Sequence, residues 1–261
     1  MRALITGARG TVGSVLSRRV EEDGGTAIGW DRNEAPPGDV VAARHLVERI
    51  APDVVFHVAL PSQSTGMENE GWVVNEKWTS DIAALAAERG VPLVYASTVM
   101  VYTSRANGPF TPDMPPDETE GYGLSKLQGE RAAQAANESV RVARFGWQIG
   151  RTRGGNNMLE HLEKQMAEQG EIAASTRWLP ATSFLEDTAA ALIQVARQPP
   201  GIYHINSNTR WNFFEIVSAL NVVHGGRWKV RPTEDFVYDQ RMLDLRLSVP
   251  NLEERLPQLL D

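Results

Sequence analysis

The apolar residues of the first two thirds of the chain fall into short runs that alternate with longer amphipathic runs. Short apolar runs predict strands, and apolar residues spaced three and four apart predict helices. The predicted strands cover residues 3–5, 26–30, 54–58, 93–97 and 140–145, and the predicted helices cover residues 12–22, 45–50, 75–89 and 123–137. This alternation is typical of parallel sheets with helices on both faces. We therefore predict an α/β fold with a doubly wound parallel sheet.

The pattern changes after residue 146. A polar, glycine-rich stretch at 151–157 predicts a loop, and helices are expected at 158–169, 187–198, 213–223 and 252–260, with a strand at 202–206. We predict a first domain over residues 1–146, completed by about 182–206. Residues 147–261 would then form mainly a small C-terminal lobe that is interleaved with the first domain.

Composition excludes several classes of function. The 261 residues include no cysteine, which excludes disulfides, thiolate nucleophiles and cysteine-based zinc sites. The five histidines show no paired ligand spacing, so we expect no metal. A net charge of −7 argues against a nucleic-acid partner. The chain also lacks a long apolar stretch and a signal-like start, so we expect no membrane association and a cytoplasmic location.

A glycine-rich turn joins the first predicted strand to the first predicted helix. Gly7, Gly10 and Gly13 follow a G-x-x-G-x-x-G pattern. The first glycine permits a sharp turn, the second lets a pyrophosphate approach the backbone, and the third lets the helix pack closely. The free N–H groups at the helix N-terminus favour anions. We therefore expect a dinucleotide at this loop, bound by the three glycines together with Arg9, Thr11 and Val12.

The end of the second predicted strand bears on which dinucleotide binds. Asp31 lies 24 residues after Gly7 (31 − 7 = 24). A carboxylate there would bond the adenosine ribose and repel a 2′-phosphate, which favours NAD. Arg32 follows at once and would instead suit a 2′-phosphate. The cofactor is therefore predicted to be NAD or NADP, with NAD preferred.

Two further features suggest chemistry on a carbonyl group. Tyr122 and Lys126 form a Y-x-x-x-K motif, whose spacing places both side chains on one helix face. The lysine ammonium is expected to lower the pKa of the tyrosine, which then exchanges a proton with substrate. Thr98 ends a predicted strand, where its hydroxyl would bond the substrate oxygen. The motif alone is weak, but it follows a dinucleotide loop and a strand-end hydroxyl.

These residues together resemble the extended short-chain dehydrogenases/reductases. More narrowly, the chain is similar to the dTDP-4-dehydrorhamnose reductases of the NAD-dependent epimerase/dehydratase superfamily. The narrower likeness rests on three segments: Pro52-Asp53-Val54-Val55, Gly154-Gly155-Asn156-Asn157-Met158, and Gly201-Ile202-Tyr203-His204 followed by Trp211.

The resemblance implies a Rossmann-type NAD(P)-binding domain, a substrate-binding C-terminal lobe and a nucleotide-sugar substrate. It assigns catalysis to Thr98, Tyr122 and Lys126. It implies further cofactor contacts at Asp39, Val40, Val58, Ala59, Leu60 and Asn75, and substrate contacts at Thr98, Trp147, Asn156 and Asn157. A packing role for Trp147 stays open. Arg177 and Arg241 are candidate phosphate clamps on charge alone.

The expected reaction is NAD(P)H-dependent reduction of a keto group, on a nucleotide-activated 4-keto-6-deoxysugar. Val99 and Met100 stand where a 4,6-dehydratase of this family would carry an acidic pair, and no cysteine is present for an epimerase-reductase. Simple ketoreduction needs only the tyrosine as proton donor. An NAD-dependent nucleotide-sugar epimerase stays open. So does a non-catalytic dinucleotide-binding regulatory subunit, as the methionine adenosyltransferase beta subunit resembles the same reductases. A homodimer is also possible.

Overall fold

Strands and helices alternate through the part of the chain that a computed structural model describes, residues 1–60, 69–152 and 154–260. The first five strands are β1 (Arg2–Thr6), β2 (Thr26–Gly29), β3 (Val54–His57), β4 (Leu93–Thr98) and β5 (Arg141–Phe145). The later strands are β6 (Trp147–Ile149), β7 (Ile172–Ser175), β8 (Trp178–Leu179), β9 (Thr182–Phe184), β10 (Gly201–Ile205), β11 (Val230–Thr233) and β12 (Tyr238–Asp239).

The helices before the second lobe are α1 (Thr11–Glu22), α2 (Val40–Ile50), α3 (Glu70–Trp72), α4 (Trp78–Glu88) and α5 (Gly121–Ala136). A π-helical turn, Val73–Lys77, joins α3 to α4, and a 3₁₀ turn, Val99–Val101, follows β4. The later helices are α6 (Met158–Gln169), α7 (Leu185–Ala196), α8 (Phe213–Val223), α9 (Leu252–Arg255) and a 3₁₀ turn at Pro257–Leu259.

Six strands form the central sheet in the order β10-β5-β4-β3-β1-β2, and every neighbouring pair is parallel. The inner strands are apolar on both faces because helices cover both sides of the sheet. One face packs on Trp78, Ile82 and Leu46, and the other on Leu16 and Leu192. The predicted α/β class with a doubly wound parallel sheet is confirmed.

Two predicted helix boundaries are wrong for local reasons. Helix α2 begins at Val40 rather than at residue 45, because the Asp39 carboxylate accepts the Ala42 N–H and caps the helix five residues earlier. At the other end of the chain, the helix predicted at 252–260 is broken. Pro257 has no N–H to donate, so α9 ends and a separate 3₁₀ turn follows.

The helix predicted at residues 75–89 also begins earlier than expected. Its first turn is α3, and the chain passes through the π-helical turn before continuing as α4. Asn75 therefore lies within the π-helical turn rather than at a helix start. Such turns often occur at functional sites.

The second lobe contains parallel strand pairs that the sequence analysis did not predict: β6–β9, β7–β11 and β8–β12. Each strand has two to four residues, too short for a clear alternation of apolar and polar positions. Side chains of β6, β7, β8, β9 and β11 pack with α6 and α8 in one apolar cluster that includes Ile149, Leu162 and Ile216. Strand β10 returns to the edge of the main sheet beside β5. The domain boundary at 146/147 stays a prediction.

Within the described ranges, no helix has both the length and the apolar character needed to cross a membrane.

Candidate active site

The carboxyl ends of the parallel strands gather the predicted cofactor residues at one edge of the sheet. The glycine loop follows β1, Asp31 and Arg32 follow β2, and Val58, Ala59 and Leu60 follow β3. Thr98 is the last residue of β4. In doubly wound sheets this edge is where ligands bind.

The glycine loop is tightly packed against its neighbours. Gly7 has a φ of +67°, and a Cβ there would lie 2.9 Å from the Ala59 Cα. The Gly10 N–H donates to the Gly7 carbonyl at 2.8 Å, which closes the turn. A Cβ on Gly13 would lie 2.1 Å from the same carbonyl oxygen, so the first turn of α1 approaches the loop as closely as glycine allows.

This loop fits the pyrophosphate of a dinucleotide. Thr11 and Val12 begin α1, so their N–H groups have no carbonyl one turn earlier in the helix and remain available to an anion. Gly10 is exposed, and the nearest atom to a Cβ placed on it would be the Gly7 oxygen at 3.2 Å. The outer side of Gly10 therefore leaves room for a phosphate, and Arg9 beside it is also exposed.

Asp31, Arg32 and Asp39, between β2 and α2, lie at the surface. One oxygen of the exposed Asp31 carboxylate accepts the Asn33 N–H at 2.8 Å, so the side chain is held in a local turn. The Arg32 guanidinium lies 3.9 Å from the Glu70 carboxylate and 5.9 Å from the centre of the Trp78 ring. Asp39 caps α2, and Val40 after it is exposed.

Thr98 combines burial with a hydroxyl proton that is available to a ligand. Its Oγ1 accepts the Met100 N–H at 3.2 Å and so caps the 3₁₀ turn. A hydroxyl that accepts one bond can still donate its own proton. Thr98 is only 7% exposed, so this donor is mostly buried at the carboxyl end of β4.

Tyr122 and Lys126 both lie on α5, one turn apart. Gly123 lets the helix N-terminus approach the turn after Thr98, because a Cβ there would lie only 2.0 Å from the Met100 carbonyl oxygen. Tyr122 is 42% exposed, whereas Lys126 is almost completely buried. The structure thus brings the tyrosine to an open edge and keeps the lysine beneath it.

The net pKa of Tyr122 is raised rather than lowered in this structure, because burial of the phenol outweighs any lowering by the Lys126 ammonium. Desolvation of the phenol by the surrounding protein raises the pKa of Tyr122 to about 12. The ammonium of Lys126 lies 4.1 Å from the centre of the Tyr95 ring. Burial lowers the pKa of Lys126 to about 7, and the Glu130 carboxylate acts in the opposite direction. Near neutral pH Tyr122 is therefore a protonated phenol, the form that donates a proton.

The residues expected near the substrate have several placements. The Trp147 ring packs against Trp178 at 6.1 Å and Phe213 at 5.8 Å between centroids, and remains partly exposed. The Asn156 N–H donates to the Thr11 Oγ1 at 2.8 Å, which holds the loop before α6 against the glycine loop.

Two of three other candidates already use their side chains in hydrogen bonds or ion pairs within the protein. Asn157 caps α6 by accepting the Glu160 N–H, and its amide donates to the Gly154 carbonyl. The Arg241 guanidinium pairs with Asp239 at 2.7 Å. Arg177 is exposed. Substrate contacts by these residues stay predictions.

Comparison with known proteins identifies the family. Residues 1–239 match the RmlD substrate binding domain. The chain belongs to this family.

Two relatives show how similar the chain is to individual known proteins. A dTDP-4-dehydrorhamnose reductase from Burkholderia thailandensis is 30% identical over 242 residues, which cover 86% of this chain and 80% of the relative. Methionine adenosyltransferase 2 subunit beta from Xenopus tropicalis is 26% identical over 237 residues, which cover 84% of this chain and 71% of that protein. The predicted resemblance to dTDP-4-dehydrorhamnose reductases is confirmed.

A solved structure shares the fold of this RmlD-family chain. It is a dTDP-4-dehydrorhamnose reductase from Bacillus anthracis in complex with NADP, and it superposes with a TM-score of 0.82 at 21% identity. The superposition covers 99% of this chain and 98% of the other.

A buried ionic group that was not predicted from the sequence lies beneath helix α5 of this RmlD-family protein. The Glu130 carboxylate pairs with Arg144 of β5 at 2.6 Å and also accepts the Ser97 hydroxyl of β4. Arg144 donates further to the Tyr102 hydroxyl at 2.6 Å. A signal was available, because Glu130 follows Lys126 by four residues and therefore shares the face of Tyr122 and Lys126.

A second missed group lies between the glycine loop and the π-helical turn. His57, on β3, bonds Thr6 on one side and Thr79 on the other. The His57 side chain is buried in β3. Its two hydroxyl partners are 51 and 22 residues away along the chain, so no local pattern marks them.

Proposed function

We propose that this protein is an NAD(P)H-dependent reductase of a keto group on a nucleotide-activated sugar, specifically a 4-keto-6-deoxysugar. The observation that carries the proposal is the placement of Tyr122. A protonated phenol lies at the ligand-binding edge of the sheet, with Lys126 one turn below it on α5 and the helix N-terminus packed on the turn after Thr98. The name of the Burkholderia relative supports the substrate class.

The groups that would hold the dinucleotide belong to this chain. The N–H groups at the start of α1 and the open side of Gly10 suit the pyrophosphate. Asp31 suits the adenosine ribose. Lys126 lies on the same helix as Tyr122, one turn further along. When bound, NAD(P)H supplies a hydride to the carbonyl carbon. We favour NAD(H) because the exposed Asp31 carboxylate would repel a 2′-phosphate.

The chain itself supplies the proton and the orientation of the substrate. Tyr122 donates its phenolic proton to the carbonyl oxygen as that oxygen gains charge. The C=O double bond thereby becomes a C–O single bond, with a new C–H bond at carbon and a new O–H bond at oxygen. The Thr98 hydroxyl donates a hydrogen bond to the same oxygen. The positive charge of Lys126 stabilises the phenolate that remains after transfer.

An epimerase and a non-catalytic subunit are the competing functions. An epimerase would use the same three residues but return the hydride to the sugar, so no dinucleotide would be consumed. A regulatory subunit, as the name of the Xenopus relative suggests, would bind a partner protein and turn nothing over. Because Tyr122 and Lys126 are both present and correctly spaced, the reductase is the proposal that explains most of the site.

The test is a turnover assay with dTDP-, UDP- and GDP-linked 4-keto-6-deoxysugars, each with NADH and with NADPH. Stoichiometric oxidation of the dinucleotide with formation of the sugar alcohol is the expected result. Interconversion of sugar epimers without net oxidation would replace the reductase with the epimerase. If the protein binds dinucleotide but reduces none of the sugars, the result contradicts the reductase and favours the regulatory subunit. A cytoplasmic location and a homodimer remain predictions alongside this proposal.

A further inference from the structure

A chain of hydrogen bonds runs through the protein interior from the glycine loop to the π-helical turn. The Thr6 hydroxyl lies 2.7 Å from the His57 Nδ1, and the His57 Nε2 lies 2.9 Å from the Thr79 hydroxyl. Thr79 in turn donates to the Asn75 carbonyl oxygen at 2.9 Å. All four residues are at least 96% buried, so water does not compete for these bonds.

One tautomer of His57 gives every donor in this chain of hydrogen bonds an acceptor. Because the Thr79 hydroxyl donates its proton to Asn75, it accepts from a protonated His57 Nε2. The unprotonated Nδ1 then accepts from the Thr6 hydroxyl, and the Thr6 oxygen accepts the Ala59 N–H at 3.2 Å. Every donor in this chain thus meets one acceptor, with a neutral ring at its centre. Burial, together with the nearby Lys126 charge, lowers the pKa of His57 to about 3 and keeps the ring neutral.

One end of this hydrogen-bond chain lies at the dinucleotide loop. Thr6 is the last residue of β1 and directly precedes Gly7. Ala59, which donates to Thr6, is the residue that a Cβ on Gly7 would touch at 2.9 Å. These contacts connect the glycine loop to the Thr6 hydroxyl and, through that hydroxyl, to His57.

The other end supports the catalytic helix on both sides of Lys126. The Asn75 side-chain amide donates to the Ser125 hydroxyl at 3.4 Å, and a Cβ on Gly129 would lie 2.4 Å from the Asn75 carbonyl oxygen. Ser125 directly precedes Lys126, and Gly129 follows it by three residues. The orientation of the Asn75 peptide thus sets how closely the π-helical turn approaches α5.

We propose that His57 is a positioning residue that couples the dinucleotide loop to the helix that carries Lys126. It acts through Thr6 at one end and through Thr79 and the Asn75 carbonyl at the other. Occupation of the glycine loop and the position of Lys126 are then linked, although the side chains of His57 and Thr79 are both buried. The inference rests on the proposed dinucleotide-binding function.

A histidine that only fills the core would give a different result from a coupling histidine. Loss of one of its hydrogen bonds would lower the free energy of unfolding in both cases. Only coupling makes the loss of the Thr79 bond, remote from the glycine loop, weaken the binding of a dinucleotide at that loop. Affinity measured on folded protein therefore separates the two.

The primary test measures the dissociation constants of NADH and NADPH for Thr79→Val by titration calorimetry. Valine keeps the shape of threonine and removes the hydroxyl. We expect affinity to fall about three- to tenfold, the range equivalent to one net hydrogen bond. Thr79→Ser restores the hydroxyl and should restore affinity. Thr188→Val is the matched control, because Thr188 is also buried in a helix and its hydroxyl has no hydrogen-bond partner among the described residues.

A double-mutant cycle and a spectroscopic measurement make the test complete. If Thr6 and Thr79 act through one ring, the double variant Thr6→Val/Thr79→Val should lose less affinity than the product of the two single losses. Nitrogen NMR of the wild-type protein without ligand should show His57 protonated at Nε2, which needs no variant to fold.

Three results would overturn the coupling: unchanged affinity in folded Thr79→Val, an equal loss in Thr188→Val, or protonation of His57 at Nδ1. A wild-type protein that binds no dinucleotide would instead overturn the proposed function itself. The two failures are therefore distinguishable.

Discussion

Glu130 accepts two hydrogen bonds from the guanidinium of Arg144, from Nε at 2.9 Å and from Nη2 at 2.6 Å, with both side chains at least 98% buried. The pair joins α5 to β5 beneath the helix face that carries Tyr122 and Lys126. Since Tyr122, Lys126 and Glu130 follow at intervals of four, the ion pair fixes the rotation of this face relative to the sheet. The site is held from below by a charge pair rather than by apolar packing alone.

Removal of the Glu130 charge should therefore destabilise the protein strongly. In Glu130→Gln the guanidinium of Arg144 stays buried without its counter-charge, a change that costs about 3–5 kcal/mol in comparable pairs. Urea denaturation would measure the loss. Glu34→Gln removes the exposed partner of Arg49 and should change little, because solvent screens that pair. A similar, small effect of both substitutions would show that the buried pair contributes no more than a surface pair.

The parts of the site that the sequence predicts are those encoded by short spacings. Three glycines within seven residues, a tyrosine and a lysine four apart, and a hydroxyl at a strand end all depend on neighbours in the chain. The missed features depend on distant ones. Asn156 contacts Thr11 across 145 residues, and the strands of the second lobe pair with partners up to 60 residues away (238 − 178 = 60). Such pairings arise only in the tertiary fold, so the local pattern of apolar and polar residues cannot predict them.

The predicted position of the pyrophosphate is tested at Gly10. The backbone there is extended, with a φ of −78°, which any residue adopts, although a Cβ would lie 3.2 Å from the Gly7 carbonyl oxygen and needs a small local shift. Gly10→Glu should weaken dinucleotide binding by at least about tenfold, or 1.4 kcal/mol, through bulk and charge together. Gly10→Gln adds nearly the same bulk without the charge and should weaken binding less. Wild-type affinity in a folded Gly10→Glu protein would place the phosphates elsewhere.

The preference between NADH and NADPH is tested at Asp31. Asp31→Asn keeps an oxygen that can accept the Asn33 N–H, so the local turn survives, and removes the negative charge. The ratio of kcat/KM for NADPH to that for NADH should rise by about tenfold as repulsion of the 2′-phosphate disappears. Asp23→Asn, at the far end of α1, should leave the ratio unchanged. A wild-type enzyme that strongly prefers NADPH would show that Arg32 rather than Asp31 decides the specificity.

Lys126 should give the stability of the unliganded protein a defined dependence on pH. Its pKa is about 7 in the fold and 10.5 ordinarily, so between these values the unfolded chain holds more protons. Native stability therefore rises with pH across this window, and the cost of burying the charge is greatest below about pH 7. Lys126→Met removes that cost, so its gain over wild type should be largest at low pH and shrink as the pH rises towards 10.5.

Denaturation of both proteins across this window measures the effect. Lys164→Met, an exposed lysine on α6, is the control and should show no such trend. A constant difference between Lys126→Met and wild type at every pH would mean that Lys126 is not buried as a charge.

Tyr122→Phe tests the chemical step itself. Phenylalanine keeps the ring and removes only the hydroxyl, so dinucleotide affinity should stay close to that of wild type. The loss of a general acid should lower kcat by roughly 10²–10⁴-fold, measured as NAD(P)H oxidation at saturating dinucleotide and keto-sugar. Because the pKa of Tyr122 is about 12, the wild-type phenol stays protonated through neutral and mildly basic pH, and its ionisation should not limit reduction there. Lys126→Met should differ by lowering both affinity and turnover. Turnover of Tyr122→Phe at the wild-type rate would show that the proton comes from another group, and the reductase proposal would lose its central residue.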